Sequence, residues 1–393
     1  VHAIPQAEQL KNPDCVIVLG KISRVEQLSV RANAWQGLAT SDDPRFGRRV
    51  WEVGVVTSGW VLLQSTVDES IPYGGRTEIS YWQDGQGAMT EVCQDGATFR
   101  GFSAWGKTGV VVSQMGTLPV TLYTGERFDC NCSVVCPFEP SITGTLWTFC
   151  SDPEYSLSVR AINQKLNVTN STLAKVPFDI IRWQLSLMER YPDGLPEPQS
   201  NDPLQWVFHG HPAGMLAGGP ASCSPIGLSD PVGAGRHASL ICREPNLRDV
   251  LQVAVARVLG YRWPAENDRE MRLDVAARAW VDRCPELDAF ADEDGIVCLS
   301  PLRGEPSAAD RVRALLTAAF ADVPGGFTAA RERELLAAAA VERSPSDSLE
   351  DWLRDRFFDE HCTLFHQRPF VWHVWDGRKD GFSALVNYHR LAA

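Results

Sequence analysis

The sequence predicts an α+β fold in which a sheet-rich domain precedes a mainly helical region. Three observations predict it. Residues 1–183 carry many short β-branched and aromatic runs separated by Gly, Asp and Pro. Residues 184–246 are punctuated by Pro192, Pro196, Pro198, Pro203, Pro212, Pro220, Pro225, Pro231 and Pro245 together with many glycines, the signature of a linker. From 247 onward the composition shifts to Ala, Leu, Arg and Glu with apolar residues at helical spacing, before an aromatic and histidine-rich segment closes the region 247–393.

Within the first region, Trp51–Val56 and Trp60–Gln64 read as short strands broken by Gly and Ser. Thr77–Trp82 alternates in polarity and then meets the turn signal Asp84-Gly85. Gly109–Ser113 and Leu118–Tyr123 are further strand candidates. Ser151-Asp152-Pro153-Glu154 predicts a helix start, because Ser or Asp caps the first amides and Pro presets φ in the first turn. Downstream, Leu251, Ala254, Val255, Val258 and Leu259 share one helical face, and Gly260 is a natural stop. Val312, Leu315, Leu316, Ala319 and Phe320 repeat that pattern. Ser348 predicts a third cap, with Asp351 three residues on and Leu349, Trp352, Leu353 and Phe357 on the apolar face.

The 393 residues are 44% hydrophobic and 22% charged, ordinary for a chain that buries cores. A start at Val1 and a stop at Ala393 without a terminal signal suggest a piece of a longer protein. No run of about 18 apolar residues is present, so no membrane partner is expected. The net charge of −12 argues against a wholly basic surface but leaves room for a local basic groove. Eleven cysteines, an odd number over a long chain, fit a reducing cytoplasm better than a disulfide framework.

The motifs exclude several chemistries. There is no Pro-Pro dipeptide and hence no Asn/Asp-Pro-Pro-aromatic loop to grip a flipped adenine. There is no phosphate-binding Gly-Lys-Ser/Thr loop and no Gly-x-Ser-x-Gly elbow. The glycine cluster Gly210–Gly219 is interrupted by Pro and follows no convincing strand, which makes it a poor cofactor loop. Cys130, Cys132, Cys136 and Cys150 have spacings better suited to buried thiols than to a tetrahedral zinc site. His209-Gly210-His211 and the set His361, His366, His373 and His389 fit packed imidazoles better than ligands, and no metal is expected.

Nucleic-acid contact suits several segments. Arg76, in Tyr73-Gly74-Gly75-Arg76-Thr77, sits on a turn that can offer a guanidinium to a phosphate or a guanine edge, or simply place a surface Arg. Lys107 lies on the Gly-flanked loop Trp105–Gly109, where backbone can approach a phosphate. Gln114, after a strand, can read adenine or serve as a polar strand residue. Lys165 and Asn167 belong to the amide- and hydroxyl-rich run Gln164–Thr172, with Lys175 just beyond; the same run also suits a capped turn.

Five blocks carry a family resemblance: Ser113–Asp129; Gln164–Asn170 followed by Lys175–Asp179; Leu251–Arg257; Leu259–Pro264; and, most distinctively, Arg368–Phe382. Together they resemble the large bacterial DNA adenine-N6 methyltransferases of the type IIG-like restriction-modification group and of the BREX and DISARM phage-defence systems, the DISARM methylase above all. The resemblance implies a parent enzyme whose N-terminal domain binds S-adenosylmethionine and methylates adenine to mark self DNA. The present chain would be its C-terminal target-recognition and helical part, without the catalytic or cofactor motifs. It implies double-stranded DNA and other defence-system proteins as partners and a cytoplasmic location. Residues 1–183 would face the DNA through Arg76, Lys107, Gln114, Lys165, Asn167 and Lys175. Two rivals are a protein-interaction scaffold, favoured by the acidic charge and the helical region, and a metal-dependent nuclease using the C-terminal histidines with Asp376 or Asp380.

Overall fold

The computed structural model describes residues 25–57, 59–92, 99–216, 245–340, 344–378 and 381–391. The fold is α+β, with most strands in the N-terminal half and most helices in the C-terminal half. The chain divides into two compact units, residues 1–48 with 57–196, and residues 49–56 with 197–393.

The first unit holds strands β1 (Ala32–Gln36), β2 (Gly47–Arg49, all but its last residue), β3 (Trp60–Gln64), β4 (Glu78–Tyr81), β5 (Gly109–Ser113), β6 (Val120–Tyr123), β7 (Arg127–Phe128) and β8 (Cys132–Pro137). Its helices are α1 (Asp43–Phe46), α2 (Ala88–Val92), α3 (Thr143–Cys150), α4 (Pro153–Ile162), α5 (Asn170–Leu173) and α6 (Ile180–Arg190). One sheet is antiparallel in the order β1-β8-β5-β6, and a second runs β2-β4-β3-β7, with β3 and β7 parallel.

Strands β5, β6 and β8 are buried along their whole length, which explains why they read as continuous apolar runs. Alternation still sorts their side chains. Val110, Val112, Val120 and Val135 join Leu146, Phe149, Tyr155, Phe178 and Trp183 on the helical side. Val111, Val134, Cys132 and Cys136 join Tyr123 and Phe128 on the other. The expected start of α4 is present: the Asp152 side chain accepts from the Glu154 amide and Pro153 takes the first turn. Trp51–Val56, expected as a strand, instead begins within the 3-10 turn Val50–Glu52 and belongs to the second unit.

The second unit contains α7 (Val250–Val258), α8 (Pro264–Asn267), α9 (Val275–Arg283), α10 (Ala308–Ala319), α11 (Ala329–Ala339), α12 (Leu349–Asp355) and α13 (Phe357–Leu364). A three-stranded antiparallel sheet is formed by β9 (Ile296–Cys298), β10 (Val371–Trp375) and β11 (Ser383–Asn387), in the order β10-β11-β9. Every residue of α7 is buried, not one face as its pattern predicts, because it is the central helix of this unit. It stops as expected at Gly260. That residue takes φ +80°, its amide donates to the Arg257 carbonyl, and the Tyr261 amide donates to Ala256. Ser348 caps α12 through the Asp351 amide, but the backbone breaks at Arg356, so Phe357 opens a separate helix.

The Pro- and Gly-rich stretch 184–246 divides differently from its reading as a linker. Residues 184–190 complete α6, and the unit boundary falls at Pro196–Glu197. Trp206, Phe208, His209 and His211 are buried in the second unit, where the Pro203 carbonyl accepts from the Trp263 indole at 2.9 Å. Residues 217–244 lie outside those described.

That packing centres on Arg257. Its guanidinium meets both Glu266 oxygens at 2.9 Å and donates to the carbonyls of Gly210 (3.1 Å) and Cys284 (3.0 Å). Glu266 also accepts from the Trp263 amide at 2.9 Å, opening α8. Removing one member strands a buried charge. Arg257→Met or Glu266→Met should each cost about 3–5 kcal/mol, and the double substitution clearly less than their sum. Denaturant unfolding followed by tryptophan fluorescence measures all three; strict additivity would show that the pair is not coupled.

Burial also sets the charge state of three imidazoles. Desolvation pushes His209, His211 and His361 down to about 3, with Arg257 adding to the effect at the first two. A folded pKa below the unfolded value near 6.5 gives stability that is complete above pH 6.5 and is lost as the pH falls toward 3. Each group contributes a slope of about 1.4 kcal/mol per pH unit within that window. Stability measured from pH 7 to 4 should fall more steeply in the parent chain than in His361→Gln, by the uptake of one proton.

Candidate nucleic-acid interface

The first unit carries a two-loop ridge at one end of β5. Helix α4 ends at Ile162, and the Asn163 side chain accepts from the Lys165 amide at 3.0 Å, turning the chain outward. Val168 returns it to the core, and its amide donates to the Gln114 carbonyl at 3.0 Å. Farther along, the Asn170 side chain donates to the Ala34 carbonyl of β1 at 3.1 Å.

Arg160, in the last turn of α4, locks this loop to the β5–β6 turn. One guanidinium nitrogen donates to the carbonyls of Gly116 (2.7 Å) and Leu166 (3.3 Å), and another donates to Lys165. The two loops therefore approach within about 6 Å at these carbonyls, since one nitrogen serves both. What they present outward is mixed: Lys165, Asn167 and Thr117 are exposed, Leu166 is 72% exposed and Met115 55%. A cation, an amide, a hydroxyl and two apolar tips thus stand on a backbone whose carbonyls at Gly116, Lys165 and Leu166 are held by Arg160.

The six residues expected at a DNA surface do not converge. Lys165 and Asn167 lie on the ridge. Gln114 underlies it but is buried; its side chain donates to the Ser133 hydroxyl at 2.7 Å, and its contribution is its backbone. Lys107 is exposed but precedes β5, roughly 20 Å away along a strand rising about 3.3 Å per residue. Its charge partly offsets the effect of burial, which pushes the Cys136 thiol up to about 12. Lys175 follows α5 and is half-buried.

Arg76 corrects the expectation most sharply. Its side chain is interior, donating to the Thr124 hydroxyl (2.9 Å) and the Leu122 carbonyl (3.3 Å), with Glu126 at 3.5 Å and the Tyr73 ring beneath it. A guanidinium held this way supports the sheet and is not presented to a phosphate. Sequence reading missed Arg160, Met115 and Leu166. The accessible signal was an Arg in the last turn of a well-capped helix, a position from which it can reach neighbouring carbonyls.

The histidine and cysteine clusters are dispersed. The His361 Nε2 accepts from the Val371 amide at 3.2 Å, so Nδ1 carries the proton toward the Gln252 oxygen at 3.1 Å. His373 meets Ser383, His389 meets the Trp51 carbonyl, and His366 stacks on Trp51. Cys132 and Cys136 lie on one side of their sheet and Cys150 on the other, all as free thiols that burial keeps protonated. Among the described residues no group of three or more His, Cys, Asp or Glu is placed to hold a metal ion.

Compared with protein-family models and with curated proteins, the chain matches none.

The ridge geometry makes its own prediction. Arg160→Ala should raise amide hydrogen exchange at residues 115–118 and 164–168 while β5 stays protected, at a stability cost of roughly 1 kcal/mol. Unchanged exchange in both loops would show that Arg160 does not hold them.

Proposed function

We propose that this chain is the DNA-reading part of a bacterial adenine-N6 methyltransferase that marks self DNA in a restriction-modification or anti-phage defence system, working in the cytoplasm. The reading starts from the five sequence blocks that resemble that group. The clamped ridge is the structural observation that carries it. Base reading needs side chains that project freely from a backbone that does not yield. On the ridge, Asn167 can pair with an adenine edge, Lys165 can meet a phosphate, and the Leu166 and Met115 tips suit a thymine methyl or a base step.

At Gly210, the glycine cluster considered for the methyl donor, S-adenosylmethionine, leaves no room for it. Gly210, the first glycine of the cluster considered for it, takes φ +77°, and a Cβ there would meet the Glu266 carboxylate at 2.3 Å. Its carbonyl is occupied by Arg257. This glycine permits packing around a buried ion pair, not the approach of a ligand. Gly218 and Gly219 lie outside the described residues. In this proposal the donor is bound by another part of the parent enzyme, and this chain performs no transfer step. Among the described residues no helix is long and apolar enough to cross a membrane.

Binding to duplex DNA, measured by fluorescence anisotropy over a salt series, tests the reading. Lys165→Ala should weaken binding to all sequences and reduce the slope of log K against log salt by about 0.9, the value for one lost phosphate contact. Asn167→Ala should weaken discrimination between sites by about 1–3 kcal/mol with the salt slope unchanged. Unaltered affinity, slope and discrimination in both variants would remove the ridge as the interface.

A further inference from the structure

Helix α6 is apolar on two sides. Trp183 and the half-buried Ile180 and Leu187 face α3, where Trp183 packs on Phe149 with ring centroids 5.2 Å apart. The opposite side carries Ile181, Leu185 and Met188, which are 68%, 64% and 70% exposed. Their spacing of four and then three residues is that of a packing seam between helices. Scattered single exposed apolar residues need no explanation, but a contiguous stripe at seam spacing does.

The charges beside the stripe indicate what covers it. Arg182 and Glu189 are seven residues apart, so they fall on the same flank at opposite ends of the helix. Arg182 is held there by a bidentate pair with Glu154 of α4, at 2.9 and 2.6 Å. When two copies of a helix pack antiparallel about a two-fold axis, each flank meets its own counterpart in reversed order. Arg182 of one copy then faces Glu189 of the other, twice. In a parallel arrangement this flank would meet the opposite one, which carries the uncharged Gln184. We infer that α6 is the contact face of a two-fold dimer of this chain, two copies packing antiparallel with Leu185 near the axis.

The seam is short, roughly 16 Å for eleven residues at 1.5 Å each. It buries less than the 1,200–2,000 Å² typical, roughly, of a stable complex, so association is reversible and depends on concentration.

Sedimentation velocity of the 393-residue chain across a wide concentration range is the test. The parent should move reversibly from monomer to dimer, and Leu185→Glu should remain monomeric with an unchanged circular-dichroism melt. Glu189→Arg and Arg182→Glu, each alone, should associate at least several-fold more weakly than the parent, because each places like charges opposite one another. Mixing these two variants in equal amounts should restore a dimer, because every cross-pair then has opposite signs. A parent that stays monomeric throughout overturns the inference. So does a dimer indifferent to Leu185→Glu, and so does a mixture that associates no better than its components.

Discussion

Burying an arginine is the constraint around which each unit is arranged. A guanidinium cannot shed its charge, so wherever it is removed from water the surrounding chain must supply carboxylates and carbonyls. In the second unit, Arg257 of α7 collects them from Glu266, Gly210, Cys284 and, at 3.7 Å, Asp288. Burial alone would favour loss of its proton, but these neighbours outweigh that and keep its pKa above the usual value. The consequence is geometric. The loop at 209–211, the start of α8 and the end of α9 must all meet at one point on α7. In the first unit Arg76 does the same on a smaller scale with Thr124, Leu122 and Glu126.

Much of the architecture was legible in the sequence because it depends on local rules. The Asp152-Pro153 helix start, the Ser348 cap and the Gly260 stop are decisions taken within a few residues, and each is present in the fold. Strands β3, β4 and β5 are similarly local in origin, set by β-branched and aromatic runs. What could not be read depends on distant partners. Arg76 lies on a Gly-rich turn that looks like a surface presentation; its burial follows from Thr124 and Glu126, some fifty positions onward. Gln114 looks like a base reader for the same reason and is claimed by Ser133. The Pro-rich stretch after 184 looks like linker because proline and glycine mark irregular backbone, yet irregular backbone packs well when an ion pair organises it.

The candidate site shows the same division from the other side. The polar run 164–172 is visible as composition, and its Lys and Asn are exposed. Under the proposed reading, the feature that makes it a surface for recognition instead of a loose loop is Arg160, which contributes nothing outward. It satisfies three carbonyls from two loops and thereby fixes the projection of side chains other than its own. Positioning of this kind leaves no motif, because any residue able to reach those carbonyls would serve and the carbonyls themselves have no residue identity.

An acidic chain that reads DNA must do so differently from a basic one. With a net charge of −12, long-range attraction to the phosphate backbone is weak or opposed, and salt screens what remains within about 10 Å at 0.1 M. Affinity under the proposed reading then rests on short-range contacts at a rigid edge: an amide to a base edge, apolar tips against methyl groups, and a single lysine on a phosphate. Such contacts distinguish sequences more than they gather DNA. A reader of this type relies on being delivered to the duplex by something else, either the catalytic part of its parent or a second copy whose ridge engages the same DNA. Pairing through α6 would double the contacts without changing any one of them, and two weak readings joined in one particle are far more selective than either alone.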